Sequence, residues 1–256
     1  MISIKTKKEI ELMKKAGEIV ALALKKVEEA IKPGVSTMEL DRIAEETIRK
    51  CGAIPSFKGY KAAFKNVPDF PGSICASVND EVVHGIPGLR VLKDGDIISV
   101  DIGAYIDGFH GDAARTFAVG KISGEAQRLI DVTRESFFKG LEKAVKGNRI
   151  IDISGAIEDY VVANGFSVVR DFVGHGIGKE MHEEPQVPNY RCSGQRTRLE
   201  AGMTLAIEPM VNQGTHMVKI LRNGWTVVTA DGKLSAHYEN TIAITEDEPI
   251  ILTMLA

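Results

Sequence analysis

Cysteine is scarce in this chain of 256 residues. Cys51, Cys75 and Cys192 are odd in number and include no close-spaced pair, which argues against a disulfide framework or a thiolate zinc site and points to the cytoplasm. An excess of charge is also lacking. The 32 Lys and Arg against 35 Asp and Glu leave a net charge of -3, which gives no electrostatic footprint for nucleic acid or an anionic membrane. No apolar run approaches the roughly 20 residues of a membrane helix, and no apolar h-region precedes the charged segment from Lys5 to Lys15. Neither a membrane span nor a signal peptide is expected. Glu9 and Glu11 interrupt the basic residues of that segment, which reads as a solvated helix face. What is present is the composition of a globular protein, 44% hydrophobic and 26% charged. The length suits one large domain or two small ones and can bury a substantial core.

Thr6 and Glu9 form a capping-box pattern, after which Ile10, Met13, Gly17, Val20, Leu24, Val27 and Ile31 recur at spacings of three and four. Pro33-Gly34 ends this long amphipathic helix, and the stop favours packing on its own domain over a coiled coil. Ser36 and Glu39 open a second helix, with Leu40, Ile43, Thr47 and Ile48 inward and Gly52 closing it. A Pro- and Gly-bearing loop segment follows from Pro55 to Gly72, and Ile74 to Val78 reads as a strand.

The same programme then returns. A helix is predicted from about Gly124 to Val145, and its ending Leu-Glu-Lys-Ala-Val-Lys-Gly at 141 to 147 echoes Val-Glu-Glu-Ala-Ile-Lys-Pro at 27 to 33. Another is predicted from about Asp152 to Asn164. The interval from Gly147 to Gly165 equals that from Gly34 to Gly52, 18 in each case, and Leu92, Gly95 and Asp101 match Leu199, Gly202 and Glu208. The pattern predicts a single α+β domain over 1–256, built of two pseudo-twofold halves at approximately 6–120 and 121–245. Each half would expose an apolar sheet face, so one curved antiparallel sheet is expected, with helices on its convex back and acidic side chains on its concave side.

Between the two helix pairs lies a hairpin signal. Ile97, Ile98 and Val100 run into Asp107-Gly108, a two-residue turn, and a second strand follows from Phe109. That turn sets Asp101 opposite Ala114, and Asp112 is two residues from Ala114, so both carboxylates share a face. Facing each other without partners they would repel and one would stay protonated, whereas a cation between them removes the conflict. From these residues alone, a solvent-facing hairpin with two ordinary Asp residues serves equally well.

Further along stand Glu208 in Leu205-Ala-Ile-Glu-Pro-Met, Glu239 in Ala236-His-Tyr-Glu-Asn-Thr, and His175 in Gly174-His-Gly-Ile-Gly178. Singly, the acids read as edge residues facing water and the histidine as part of a loop. Together, Asp101, Asp112, His175, Glu208 and Glu239, in this order and within these words, resemble the five metal ligands of the methionine aminopeptidases. The resemblance runs from the first helix to Glu239 and implies the pita-bread fold. Only 33 residues separate His175 from Glu208, which leaves no room for the helical insertion that type I members lack. A bacterial-like type I member without an N-terminal zinc-binding extension is expected.

The resemblance implies two divalent ions, with Asp112 and Glu239 bridging them, Asp101 chelating one, and His175 and Glu208 binding the other. A carboxylate-rich, thiolate-free set suits Mn²⁺ or Fe²⁺, with Co²⁺ and Zn²⁺ also admissible. It further implies three catalytic residues. His84, in Asn79-Asp-Glu-Val-Val-His-Gly-Ile-Pro87, would contact the substrate near the scissile amide. His182, in Met181-His-Glu-Glu-Pro185, would stabilise the developing oxyanion, an effect worth ~3 kcal/mol in other hydrolases. Glu208 would shuttle a proton from water to the leaving amine. Phe70, Cys75 and Trp225, with His84 at the edge, would line the pocket for a methionine side chain. Phe70 stands where close relatives often have Tyr, and Met181 where many have Phe, so the shape of the pocket is left open. His110 is expected in an outer or surface role, and His216 and His237 receive none.

The function so implied is removal of the initiator methionine from a peptide or nascent polypeptide whose second residue is small. A monomer is expected, with a transient ribosome contact left open. Two alternatives stand beside it. One is an Xaa-Pro aminopeptidase of the same fold, whose members usually carry a large additional N-terminal domain. The other is a metal-free peptide-binding module of that fold, whose members lose ligands that are all present here.

Overall fold

The computed structural model describes residues 2–62, 66–194 and 196–255. Helix α1 (Lys7–Ala30) starts at the expected box: the Thr6 hydroxyl accepts from the Glu9 N–H, and the Glu9 carboxylate accepts from the Thr6 N–H at 2.9 Å. Met13, Gly17, Val20, Leu24 and Val27 of its apolar stripe are buried. Helix α2 (Thr37–Lys50) is capped by Ser36 and buries Leu40, Ala44 and Ile48, while Ile43 and Thr47 are half-buried. Helix α3 (Gly124–Leu141) stops short of Val145 because its end tightens, with Lys143 N–H bonded to Gly140 O and Ala144 N–H to Leu141 O. Helix α4 (Ile150–Ala163) begins before Asp152. That aspartate is the third helical residue, and its carboxylate accepts from the Arg149 N–H at 2.7 Å.

Every strand pairing among the described residues is antiparallel. The hairpin Ile97–Ile106 and Phe109–Ala118 forms a four-stranded sheet with Ile74–Val78 and Ile54–Pro55. A five-stranded sheet takes Gly174–Gly176, Glu183–Val187, Thr204–Ile207, Asn240–Ala243 and Ile250–Ile251. Ser167–Val168, Met210–Asn212 and Ser235–His237 form a three-stranded sheet, and Glu81–Val83, Val227–Thr229 and Val218–Ile220 another. Among the described residues the antiparallel surface is thus divided into four sheets rather than running as one. The seam between the two larger sheets is closed by specific bonds. Asp112 N–H donates to Thr241 Oγ1 at 3.0 Å, that hydroxyl donates to Asp112 O at 2.9 Å, and Glu239 N–H donates to Ala114 O at 2.9 Å.

Positions matched by the sequence spacing make matching bonds. Gly34 N–H donates to Leu92 O and Gly147 N–H to Leu199 O, both at 2.9 Å. Leu92 N–H returns to Val35 O and Leu199 N–H to Asn148 O, both at 2.8 Å. Gly34 and Gly147 have φ of 96° and 94°, a conformation that an L side chain rarely adopts.

Ile98, Val100, Ile102 and Ala104 of the hairpin pack into one core cluster with Val20, Leu24 and Val27 of α1 and Leu40 and Ile48 of α2. The apolar residues of α3 and α4, including Leu129, Phe137, Ile153 and Ile157, form a second cluster with Leu205, Ile207 and Val211. The helices therefore claim one face of the strands and leave the other free for polar chemistry. None of the described helices is long and apolar enough to cross a membrane.

Candidate metal centre

The hairpin turn has positive φ at both central residues, 53° at Asp107 and 88° at Gly108, as a type I′ turn requires. That turn fixes the register: Asp101 pairs with Ala114 and Gly103 with Asp112. Since Val100, Ile102 and Ala113 face the helices, period-two alternation sends Asp101 and Asp112 together to the opposite face.

Glu208 and Glu239 arrive from a second antiparallel pair. Ile207 pairs with Asn240 and Met210 with His237, so Glu208-Pro209 and Tyr238-Glu239 face each other between two ladders. Pro209 has no N–H to give, which is a local reason for the ladder to break there. His175 lies beside this break, paired with Ala206 on one side and Gln186 on the other, with a bulge between His175 and Gly176. Its Nδ1–H donates to Gly176 O at 2.8 Å, which leaves the Nε2 lone pair toward the acids, 3.6 Å from Glu208 Oε1 and 3.9 Å from Asp112 Oδ2. Asp112, His175 and Glu239 each offer a ligand atom within 4.8 Å of the others.

All ten residues expected at the site line one cavity of about 280 Å³: Phe70, Cys75, His84, Asp101, Asp112, His175, His182, Glu208, Trp225 and Glu239. At one end are the acids. Burial, then their mutual repulsion, pushes the Asp112 and Glu239 carboxyls well up from the usual range. Burial raises Asp101 to about 6 against the opposing pull of His237, and raises Glu208 to about 8. Burial also lowers His175 to about 3, so its imidazole is neutral and can ligate. Asp101 Oδ1, Asp112 Oδ1 and Glu239 Oε1 are buried without a hydrogen-bond partner. Three orphaned acid oxygens beside a free imidazole nitrogen fit a hard or borderline divalent cation, because such an ion satisfies the lone pairs and removes the repulsion together.

The other end is apolar. Phe70 meets Trp225 edge-on at 5.2 Å, and the Trp225 indole N–H donates to Pro68 O at 2.8 Å. Cys75 pairs with Asp101 in the sheet, so the pocket floor and the acids share one ladder. His84 has φ of 57°, uncommon for a residue with a Cβ, and its ring is wedged edge-on against Phe172 and Trp225 at 5.6 and 6.3 Å. Met181 is buried in the apolar cluster behind the pocket, with Met13, Phe57, Phe70 and Ile177.

Several residues of this neighbourhood were not legible beforehand. Phe57, Tyr60, Phe172 and Met210 also line the cavity. Phe57 and Tyr60 are aromatics within a loop segment, the one signal that could have raised them. His237 is 2% exposed, with Nε2 3.5 Å from Glu208 Oε2. His110 stands outside the cavity lining, its Nδ1 2.9 Å from Ser56 Oγ and its ring 4.6 Å from that of Tyr105.

The sequence model for metallopeptidase family M24 matches residues 11–246. A methionine aminopeptidase of Clostridium perfringens (strain 13 / Type A) is 60% identical over 255 residues, covering 100% of both chains. Methionine aminopeptidase 1 of Bacillus subtilis (strain 168) is 56% identical over 253 residues, covering 99% of each. Among solved structures, the methionine aminopeptidase of Thermotoga maritima superposes with a TM-score of 0.95 at 46% identity, covering 100% of both chains. The prolidase of Pyrococcus furiosus, at 23% identity and a TM-score of 0.73, shares the pita-bread fold alone, over 99% of this chain and 66% of that one. The chain belongs to metallopeptidase family M24, among its methionine aminopeptidases.

Proposed function

We propose that this chain is a metal-dependent aminopeptidase that removes the initiator methionine from new polypeptides, preferring a small second residue. The observation that carries the proposal is one cavity with orphaned buried carboxylate oxygens at one end and an aromatic, thiol-bearing slot at the other. Asp112 and Glu239 would hold both divalent ions, Asp101 one of them, and His175 and Glu208 the other. When bound, such a pair supplies Lewis acidity, polarising the scissile carbonyl and making a water acidic enough to attack near neutral pH. Phe70, Cys75 and Trp225 enclose the thioether side chain, and a soft thiol beside a soft sulfur suits that contact. His84 meets the substrate near the scissile amide and His182 donates to its carbonyl oxygen. Glu208 takes the proton from the attacking water and returns it to the leaving amine, while Asn189 Nδ2 holds the Glu208 carbonyl at 3.0 Å.

Residues 1–256 act in this proposal as one catalytic domain. The half at approximately 6–120 brings Asp101, Asp112, Phe70, Cys75 and His84, and the half at approximately 121–245 brings the remaining ligands together with His182 and Trp225. The enzyme works in the cytoplasm as a monomer, on peptide N-termini presented by nascent chains in transient contact with the ribosome. Methionine release from Met-Ala-Ser with Mn²⁺ or Co²⁺, with Met-Lys-Ser turned over far more slowly, is the expected result. No release under any divalent ion overturns the proposal, and cleavage of Ala-Pro-Ser in preference to Met-Ala-Ser replaces it with the Xaa-Pro activity.

A further inference from the structure

Tyr60 is a residue for which composition and spacing suggested no role, yet it touches His182. Its hydroxyl lies 2.6 Å from His182 Nδ1, and the two rings meet edge-on at 5.4 Å and 76°. The backbone around Tyr60 is tied at three points. Tyr60 N–H donates to Phe57 O, Phe70 N–H to Tyr60 O and Gly59 N–H to Phe70 O, at 2.9, 2.9 and 2.8 Å. These bonds tie residues 57–60 to Phe70, so that Phe70 at the pocket wall and the Tyr60 hydroxyl at the imidazole share one base.

That contact bears on the imidazole's tautomer. A neutral histidine has one N–H, and the partner of one ring nitrogen decides which nitrogen carries it. If Tyr60 O–H donates to Nδ1, the proton resides on Nε2, the remaining polar atom of a ring that lines the cavity. If Nδ1–H donated to the phenol instead, Nε2 would present a lone pair to a substrate carbonyl oxygen, and the two would repel. Only the first arrangement supplies a donor where negative charge develops. Burial raises the Tyr60 hydroxyl's pKa, which keeps it a donor. The His182 ring also packs against that of His175, with centroids 4.3 Å apart, a second contact that restrains the imidazole.

We infer that Tyr60 is a positioning residue: its hydroxyl donates to His182 Nδ1 and fixes the tautomer and orientation in which His182 Nε2–H meets the substrate's carbonyl oxygen. The inference rests on the oxyanion role given to His182 above. It adds that one loop couples recognition of the methionine side chain, through Phe70, to preparation of the donor, through Tyr60.

Tyr60→Phe removes one oxygen and keeps the ring against His182. With the Mn²⁺-loaded enzyme and Met-Ala-Ser, kcat should fall about tenfold, the size of one neutral hydrogen bond, while KM stays within about twofold. A raised KM at unchanged kcat would make Tyr60 a pocket wall only and overturn the inference. The second readout is independent of turnover. In protein labelled with ¹⁵N-histidine, both chelated and loaded with diamagnetic Zn²⁺, His182 should show a protonated Nε2 and an unprotonated, hydrogen-bonded Nδ1. Its signals are assigned by their loss in His182→Gln. In Tyr60→Phe the Nδ1 signal should shift and the tautomers mix. A wild-type His182 with the proton on Nδ1 overturns the inference, even if Tyr60→Phe does not fold. Absence of peptidase activity alongside the expected tautomer would refute the proposed function and leave this hydrogen bond standing.

Discussion

Chelating the metal and raising the pH from 7 to 8 should cost the folded state on the order of 1 kcal/mol. Burial pushes the Glu208 carboxyl from 4.5 up to about 8, and Asp112 and Glu239 are also raised. A carboxyl whose pKa rises on folding holds a proton that the unfolded chain has already released. Its contribution to stability is therefore complete below the unfolded value and is lost as pH climbs through the folded value. The buried histidines work in the other direction. Burial lowers His84, His110 and His237 to about 4 and His175 to about 3, so stability rises with pH until the unfolded imidazoles have deprotonated, near 6.5. From pH 7 to 8 these four imidazoles still return about 0.6 kcal/mol as their unfolded forms finish deprotonating, which the raised Asp112 and Glu239 carboxyls offset, so the acids control the slope. One excess bound proton corresponds to about 1.4 kcal/mol per pH unit. With a pKa of about 8, Glu208 is about nine-tenths protonated at pH 7 and about half protonated at pH 8, which gives the 1 kcal/mol. Urea unfolding at the two pH values, in EDTA and in Mn²⁺, measures the effect. Metal at about 100 times its Kd should add ~2.7 kcal/mol and remove the decline, because the cation takes the place of the protons. Glu208→Gln, neutral at both pH values, should lose the Glu208 share of the slope. A chelated wild-type protein as stable at pH 8 as at pH 7 would refute the picture of acids facing one another without a counter-charge.

Trp225→Ala removes the edge-on partner of Phe70 and one wall of the apolar slot. KM for Met-Ala-Ser should rise about tenfold or more with a smaller change in kcat, and an unchanged KM in steady-state kinetics would exclude Trp225 from the pocket. Gly111→Ala would place a Cβ 2.8 Å from Gly17 N and 3.0 Å from Gly17 Cα, against helix backbone that cannot give way. A loss of about 1 to 3 kcal/mol is expected, seen as a lowered thermal midpoint. Lys5, whose side chain is 3% exposed, lies 2.5 Å from Glu183 Oε2, and its N–H donates to Gly202 O at 2.7 Å. Lys5→Met strands a largely buried carboxylate at a cost of about 3 kcal/mol, much of which the double variant with Glu183→Gln should recover in chemical denaturation.

The hairpin was readable because its turn chemistry is local: Asp107-Gly108 fixes the loop, the loop fixes the register, and the register fixes the shared face of Asp101 and Asp112. The helix pairs were readable for the same reason, since their caps and stripes lie within a few residues of each other. Element ends were less legible: the helix predicted from about Asp152 starts at Ile150, with Asp152 as the third helical residue accepting from the Arg149 N–H. The division of the described strands into four sheets was not legible, because it depends on where side chains such as Thr241 Oγ1 replace backbone partners across a seam. The same holds for Tyr60 and His237. Their importance comes from tertiary neighbours, His182 and Glu208, that no sequence spacing links to them.

Asp101, Asp112, His175, Glu208 and Glu239 are proposed to hold the ions on which peptide hydrolysis depends. Titrating the chelated protein with Mn²⁺, while following heat of binding and methionine release from Met-Ala-Ser in parallel, tests this most directly. In wild type the two signals should rise together. In Asp112→Asn, with its fold verified by circular dichroism, tight binding of the second ion and turnover should both be lost. Full turnover with unchanged metal binding in Asp112→Asn would contradict the claim.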